Sequence, residues 1–508
     1  MSAAYSSIVT IFNTFRHNAS PAYYHAEGEL SYQELFDNAA TLARVLCELG
    51  REPVLIYGHK NRAYLVAYWA CILAGRTLIP VETDNHQSRV AAISTRSGAT
   101  LVLNTTASRL SSAVTIPVRQ VSLETTLCTQ EREKIAQFWR TQIVTFTNQD
   151  TMYMMFSSGT TGAPKGILVS YGNTADFIDW LKHTFPLHGA ISGNVRYCFD
   201  VSLYELWLAW LHGKPISSLD HSDMVNTRKA IQRHRQHGTT TWVSTPSMAA
   251  CYLKDRQFDA ESLPDLSRFI FCGEVLPKPL VNTLRAKFPQ ATIINTYGPT
   301  ECTVAVTSIE IQAQHLADTR PLPIGRVRPN SQVLIDPHTQ EILIQGASVG
   351  NGYLAAEAEQ AQKFTTLATP MTRRYHTGDL GQLDGDTLYF LGRTDREIKV
   401  QGHRVDLNVI ETALHTLQGI EEAFVEPWVR KGQTQALRAF IKAPPQTPLA
   451  HYANALSAQL PPYMVPKFWY AIETNPLNLN SKLDRGSVAE SALKQGECFV
   501  FHYDSVNC

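Results

Sequence analysis

The chain reads as an α/β protein. It has a large N-terminal domain with two parallel-type sheets flanked by helices and a small β-barrel-like part, followed by a small α+β C-terminal domain. Three observations predict this. Strand-like and helix-like stretches alternate by hydrophobic period through the first ~390 residues, which is the grammar of parallel sheets with helices on both faces. After Ile324 the texture changes to short strands joined by Gly, Asp and Asn turns. At 508 residues the chain is too long for one core and long enough for two sheets.

Taken in order, Ser31-Tyr32-Gln33-Glu34 is a capping box opening a helix whose face carries Leu35, Ala39, Leu42, Val45, Leu46 and Leu49. Pro53 to Tyr57 reads as a strand, Asn61 to Leu73 as a helix, Thr77 to Val81 as a strand, and Ala99 to Leu103 repeats the pattern. A helix at Thr227 to His237, strands at Thr240 to Ser244 and Arg268 to Cys272, and a helix at Pro279 to Phe288 follow, leading to a strand at Ala291 to Ile294. Gln332 to Ile335, Glu341 to Ile344 and Thr387 to Phe390 are the short antiparallel strands. A boundary falls near Gly392-Arg393-Thr394-Asp395, giving domains 1–394 and 395–508. The second contains helices at Leu407 to Leu417 and around Tyr452 to Leu460, with strands near Ala423 and Leu437. The last ~15 residues carry no period that assigns an element.

Lys plus Arg equals Asp plus Glu, so net charge steers the chain toward neither nucleic acid nor anionic lipid. The N-terminus lacks a basic start followed by an apolar core, so it is no secretory signal. The longest apolar-looking segment, Tyr64 to Gly75, falls far short of the ~20 residues that span a bilayer, so membrane insertion is not expected. The nine cysteines stand singly, without zinc-site or disulfide-framework spacing. Reduced thiols in the cytoplasm are the simplest setting.

Chemistry-bearing residues gather in a few runs. Asn295-Thr296-Tyr297-Gly298-Pro299-Thr300-Glu301 follows a strand, at the edge where open α/β sheets bind ligands. Its ring can stack on a base, its amide can read that base's edge, and its carboxylate can hold a divalent metal beside phosphates. Alone, the run is equally a surface turn with an incidental acid. Ser157-Ser158-Gly159-Thr160-Thr161-Gly162-Ala163-Pro164-Lys165 offers hydroxyl, amide and ammonium donors that can wrap a polyphosphate. It is not a Walker loop, since no Ser or Thr follows the lysine. Tyr375-His376-Thr377-Gly378-Asp379 sets a carboxylate where it can accept from ribose hydroxyls, although Asp in a Gly turn also has purely local reasons. Gly392 to Asp395 and Lys399 to Arg404 form a basic, Gly-punctuated junction that is otherwise a solvated linker. Lys482, in Asn480-Ser481-Lys482-Leu483-Asp484-Arg485, is by itself one surface lysine among many.

In this order and spacing the segments resemble the adenylate-forming superfamily of acyl-CoA synthetases, luciferases and peptide-synthetase adenylation domains, over nearly the whole chain. Within it, LIYGHK, FIDWLKHTFP, WVSTPS, FIFCGEVLP and INTYGPTECTVAVTSIEI are most similar to D-alanine–carrier protein ligases. The resemblance implies ATP and Mg2+ as cofactors. The loop from Ser157 to Lys165 would close on the β- and γ-phosphates. Gly273, Glu274, Val275 and Tyr297 would sandwich adenine, with Asn295 on its edge. Thr300 would touch the α-phosphate, Glu301 would hold magnesium, and Asp379 with Arg393 would bind the ribose. Lys482 would be catalytic, reaching the α-phosphate and the substrate carboxylate. Asp395 would be the hinge of a mobile small domain, and Gly402 would face the carrier's pantetheine.

For the amino acid, Asp200 in Phe199-Asp200-Val201-Ser202 would pair with the substrate ammonium, since a fatty acid would leave a buried acid unpaired. Cys272 and Val304 would wall off a methyl-sized pocket, though a small buried thiol is also ordinary core. The implied activity is ATP-dependent activation of D-alanine and its transfer to a separate phosphopantetheine-bearing carrier protein. The alternatives are a stand-alone enzyme loading another small amino acid for a peptide natural product, and a catalytically silent nucleotide binder. Departures from the relatives are SSGTTG for TSGSTG, Ser481 for the glycine before the lysine, a shorter stretch from Gly193 to Cys198 with Arg196 in it, and an unmatched tail from Gly496 to Cys508.

Overall fold

The computed structural model describes residues 3–121, 123, 133, 146–158, 164–220, 223–224, 226–367, 373–394, 396–430, 433–444, 446–472, 489–490, 492–494 and 498–502. It divides into two compact units. One comprises Met1–Thr83, Gln87–Phe156 and Lys165–Thr394, and the other Asp84–His86, Ser157–Pro164 and Asp395–Cys508.

Two large sheets organise the first unit. In the nine-stranded sheet six strands run parallel in the order Thr292–Tyr297, Arg268–Phe271, Thr239–Ser244, Ala190–Gly193, Ile216–Ser218 and Pro21–His25, with antiparallel strands closing both edges. In the seven-stranded sheet Thr151–Ser158, Leu78–Val81, Val54–Tyr57, Leu101–Asn104 and Val118–Gln120 are parallel. Most of these strands are short runs of branched and aromatic residues buried on both faces, as strands covered by helices must be. The helix Arg62–Leu73 is buried from Tyr64 to Leu73, which is why its residues are apolar all round rather than striped. Trp69 packs edge-on to Trp207 and Trp210 within this core, at ring-centroid separations of 6.0 and 5.0 Å. Among the described residues no helix is long and apolar enough to cross a membrane.

The capping box at Ser31 forms in full: the Ser31 hydroxyl accepts from the Glu34 amide, and the Glu34 carboxylate accepts from the Ser31 amide at 2.8 Å. A five-stranded antiparallel sheet, Ser331–Ile335, Glu341–Gly346, Arg373–Asp384, Phe364–Thr366 and Thr387–Arg393, is the small barrel-like part. In the second unit Glu397–Val400 and His403–Asp406 form a hairpin. Helices Leu407–His415 and Leu449–Ser457 accompany a four-stranded sheet of Glu422–Arg430, Gln433–Lys442, Phe468–Ala471 and Phe499–Val500. Two differences from the sequence reading stand out. The strand read as ending at Ile294 runs on to Tyr297, because Asn295, Thr296 and Tyr297 pair with Ile309, Ser308 and Thr307. Part of the tail is an edge strand, too short to show a period.

Candidate active site

The strand Thr292–Tyr297 delivers Tyr297 to the C-terminal edge of the nine-stranded sheet, and Gly298-Pro299 turns the chain there. A side chain on Gly298 would stand 2.4 Å from the Ala305 Cα, so only glycine lets the returning strand approach. Thr300–Cys302 makes one 3-10 turn, and Thr303 and Val304 then adopt left-handed backbone at φ 56° and 70°. Two β-branched residues in that region are strained. The turn is held by the Val306 amide on the Tyr297 carbonyl at 2.7 Å and by the Thr303 hydroxyl on the Ser348 carbonyl at 2.8 Å.

Three residues separated widely in the chain meet at this edge. The Tyr297 hydroxyl donates to Asp379 Oδ2 at 2.6 Å, and the Arg393 guanidinium donates to Asp379 Oδ1. Antiparallel pairing sets Asp379 directly opposite Arg393, so their meeting is a matter of register. Burial, and then the neighbouring Asp379 charge, hold the Tyr297 phenol well above its ordinary pKa, so it stays a donor at neutral pH. Asn295 is buried and its amide nitrogen donates to the Pro323 carbonyl at 2.8 Å, which fixes the orientation of the amide. Glu274 accepts at one oxygen from both the amide and the hydroxyl of Ser247, at 2.9 and 2.6 Å, while Val275 stays exposed. Gly273 has φ 94°, and a side chain there would face Thr245 and Val201.

Glu301 is 1% exposed and accepts from the Tyr353 hydroxyl at 2.7 Å. The Lys165 ammonium lies 4.1 Å from the centre of the same Tyr353 ring. Gly350 donates its amide to the Glu301 carbonyl at 2.8 Å. Tyr353 was not among the residues read from sequence. Its only signal is an aromatic in the Gly-punctuated run Gly350-Asn351-Gly352-Tyr353, and its partner is 52 residues away. Among the described residues no three His, Cys, Asp or Glu side chains gather to hold a metal, so Glu301 offers a single carboxylate.

Asp200 is buried just before the helix Ser202–His212, with its carbonyl accepting from the Leu203 amide at 2.9 Å. Cys272 is 1% exposed, its Sγ 3.9 Å from the Val304 carbonyl, so the cysteine and the strained valine adjoin. Gly402, φ 87°, turns the hairpin of the second unit. Ser157 and Ser158 end the strand Thr151–Ser158, whereas Gly159, Thr160, Thr161, Gly162, Asp395 and Lys482 lie outside the described residues.

A phenol, a carboxylate and a guanidinium joined at the end of a parallel strand, with a second carboxylate one turn further on, stand at the edge where α/β proteins of the doubly wound class bind ligands. Residues 13–354 match the AMP-binding enzyme family. A D-alanine–D-alanyl carrier protein ligase of Bacillus licheniformis is 33% identical over 493 residues, covering 92% of this chain and 96% of its own. One of Staphylococcus aureus is 33% identical over 483 residues, covering 92% and 95%. The fold matches the Vibrio cholerae adenylation domain AlmE, solved with glycyl-adenosine-5'-phosphate, at a TM-score of 0.82 and 23% identity over 98% of both chains. The chain belongs to the AMP-binding enzyme family.

Proposed function

We propose that this chain is an AMP-forming ligase that activates D-alanine with ATP and passes it to the phosphopantetheine thiol of a separate carrier protein. The observation that carries the nucleotide half is the Tyr297–Asp379–Arg393 cluster at the strand edge. Two curated relatives of that activity, matched over more than nine-tenths of both chains, support the amino-acid half.

In the first step the substrate carboxylate attacks the α-phosphorus of ATP and pyrophosphate leaves. In the second the carrier thiol attacks the acyl carbon and AMP leaves. Tyr297 stacks on adenine beside Asn295, and Asp379 accepts from the ribose hydroxyls while Arg393 holds its carboxylate in place. The phosphate loop from Ser157 to Lys165 holds the β- and γ-phosphates, Thr300 the α-phosphate. Lys482 supplies the cation at the α-phosphate, and Asp395 is the hinge between the two steps. Asp200 pairs with the ammonium, and Cys272 with Val304 limits the side chain to a methyl group. Magnesium suits Glu301, since that ion is commonly held by one or two carboxylates plus substrate phosphates. When bound it neutralises charge on the phosphates.

Pyrophosphate exchange across D-alanine, L-alanine, glycine, serine and proline tests the proposal. D-alanine should give the highest kcat/KM. Exchange with another of these amino acids and none with D-alanine would assign the chain to a different carrier-loading pathway.

A further inference from the structure

The peptide unit between Gly193 and Asn194 is held by two buried charged side chains. Lys60 is 1% exposed, and its ammonium donates to the Gly193 carbonyl at 2.6 Å. Glu205 is fully buried, and its Oε1 accepts from the Asn194 amide at 2.7 Å. The same carboxylate accepts from the Val195 amide at 3.2 Å. Lys60 follows the strand Val54–Tyr57 of the seven-stranded sheet, whereas Gly193 ends the strand Ala190–Gly193 of the nine-stranded one. The lysine therefore ties the two sheets together at the point where the chain leaves the second of them. That departing segment, 194–199, runs straight to Asp200.

The far end of the segment is tied as well. Ser202 returns both its amide and its hydroxyl to the Phe199 carbonyl, at 3.0 and 2.6 Å. Glu205 stands on the helix Ser202–His212 that begins there, so one helix anchors both ends of the loop. Asn194 is further fixed by its Nδ2 on the Val243 carbonyl at 3.3 Å and its Oδ1 against His234 Nε2 at 3.2 Å. The space is closed: a side chain on Gly193 would stand 2.8 Å from the Ser218 Cα.

We propose that Lys60 and Glu205 form a buried charge pair that positions Asp200 for the ammonium of the amino-acid substrate, acting through the Gly193–Asn194 peptide. The inference rests on the substrate reading above. Hydrogen bonds to charged groups are shorter and stronger than neutral ones, so a clamp of this kind holds a loop more firmly than backbone pairing alone. Burial, opposed by the partner's charge, lowers the Lys60 pKa and raises that of Glu205. Each partner supplies the largest opposite charge acting on the other, with Glu82 a further acid near Lys60, so losing one partner leaves the other poorly compensated. Both side chains act on the backbone of the loop that leads to Asp200, so both are positioning residues.

The test measures pyrophosphate exchange by the full chain carrying Lys60→Met, Lys60→Gln, Glu205→Gln, or Lys60→Met with Glu205→Gln. Lys60→Met should raise KM for D-alanine ~10- to 100-fold, only part of the cost of stranding a buried charge reaching the substrate, while KM for ATP changes by less than ~2-fold. Lys60→Gln keeps a neutral donor and should be milder. The double variant removes the stranded charge and should recover most of the loss in KM. Equal shifts in both KM values, a change confined to kcat and thermal stability, or no recovery in the double variant would each overturn the positioning role. If the wild-type chain activates a different amino acid, the substrate reading fails while the clamp is judged with that amino acid. Exchange with none of them overturns both.

Discussion

Asp379 shows how much one side chain can carry. Its two oxygens are taken by different partners, Tyr297 at 2.6 Å and Arg393 across the hairpin, so its carboxylate plane is fixed. Replacing it with alanine strands a largely buried guanidinium and, on the proposed function, removes the acceptor for the ribose. Asp379→Ala should therefore raise KM for ATP by more than ~10-fold, since a hydrogen bond to a charged group contributes about 1.5–3 kcal/mol. Tyr297→Phe keeps the aromatic ring and removes one hydrogen bond, so its effect should be smaller. Equal KM values for ATP in wild type and Asp379→Ala would remove this residue from the nucleotide site. Tyr297 and Asp379 were nameable from their own short runs, and Arg393 through the family resemblance. Tyr297 and Asp379 lie 82 positions apart, and no local pattern announces their hydrogen bond. Tyr353 escaped for the same reason, because its role comes from the tertiary approach of Glu301.

At the scale of elements, the turn after Tyr297 has no slack. Gly298 faces backbone on three sides, and a methyl carbon added there would lie within 2.9 Å of Ala305 Cα, the Val304 oxygen and the Val306 nitrogen. Backbone cannot rotate aside as a flexible side chain can. Gly298→Ala should cost about 1–3 kcal/mol by overpacking and displace Val304, measured as a lower Tm together with a higher KM for the amino acid. The helix Thr227–Gln236 makes a different prediction. His234 is fully buried on it, and burial, reinforced by the charges of neighbouring His237, Lys60 and Arg233, lowers its pKa to about 3. Asn194 Nδ2 already donates to Val243, so its Oδ1 accepts, and His234 Nε2 carries the proton in a neutral ring. Between about 3 and its ordinary 6.5 the unfolded chain binds a proton there that the folded chain does not. Stability should therefore fall as pH drops below about 6.5. A Tm-versus-pH profile from 5 to 7.5 should be shallower in His234→Gln than in wild type, and superimposable slopes would assign the acid sensitivity elsewhere.

At the scale of the molecule, the large pattern was the most legible part. Doubly buried strands are continuous apolar runs and amphipathic helices show their stripe, so alternation alone announces parallel sheets. The edge strand Phe499–Val500 was not legible, because two residues cannot display a period and their pairing with Phe468 and Trp469 is set by neighbours. Tyr297, Asp379 and Arg393 all belong to the first unit, whereas the proposed catalytic Lys482 comes nearly 90 positions later in the sequence than the last of them. Binding of ATP and the chemistry done on it should therefore be separable by mutation. Bringing a carboxylate to a polyphosphate opposes two anions, and a cation aimed at the charge forming on phosphorus is worth ~100- to 1,000-fold in rate. Lys482→Ala should lower kcat for pyrophosphate exchange by that factor while calorimetry on the full chain finds ATP binding within ~3-fold of wild type. Undiminished exchange would take Lys482 out of the first step. Loss of ATP binding in parallel with exchange would make it a ground-state ligand, since a group that stabilises only the transition state lowers kcat and leaves affinity alone.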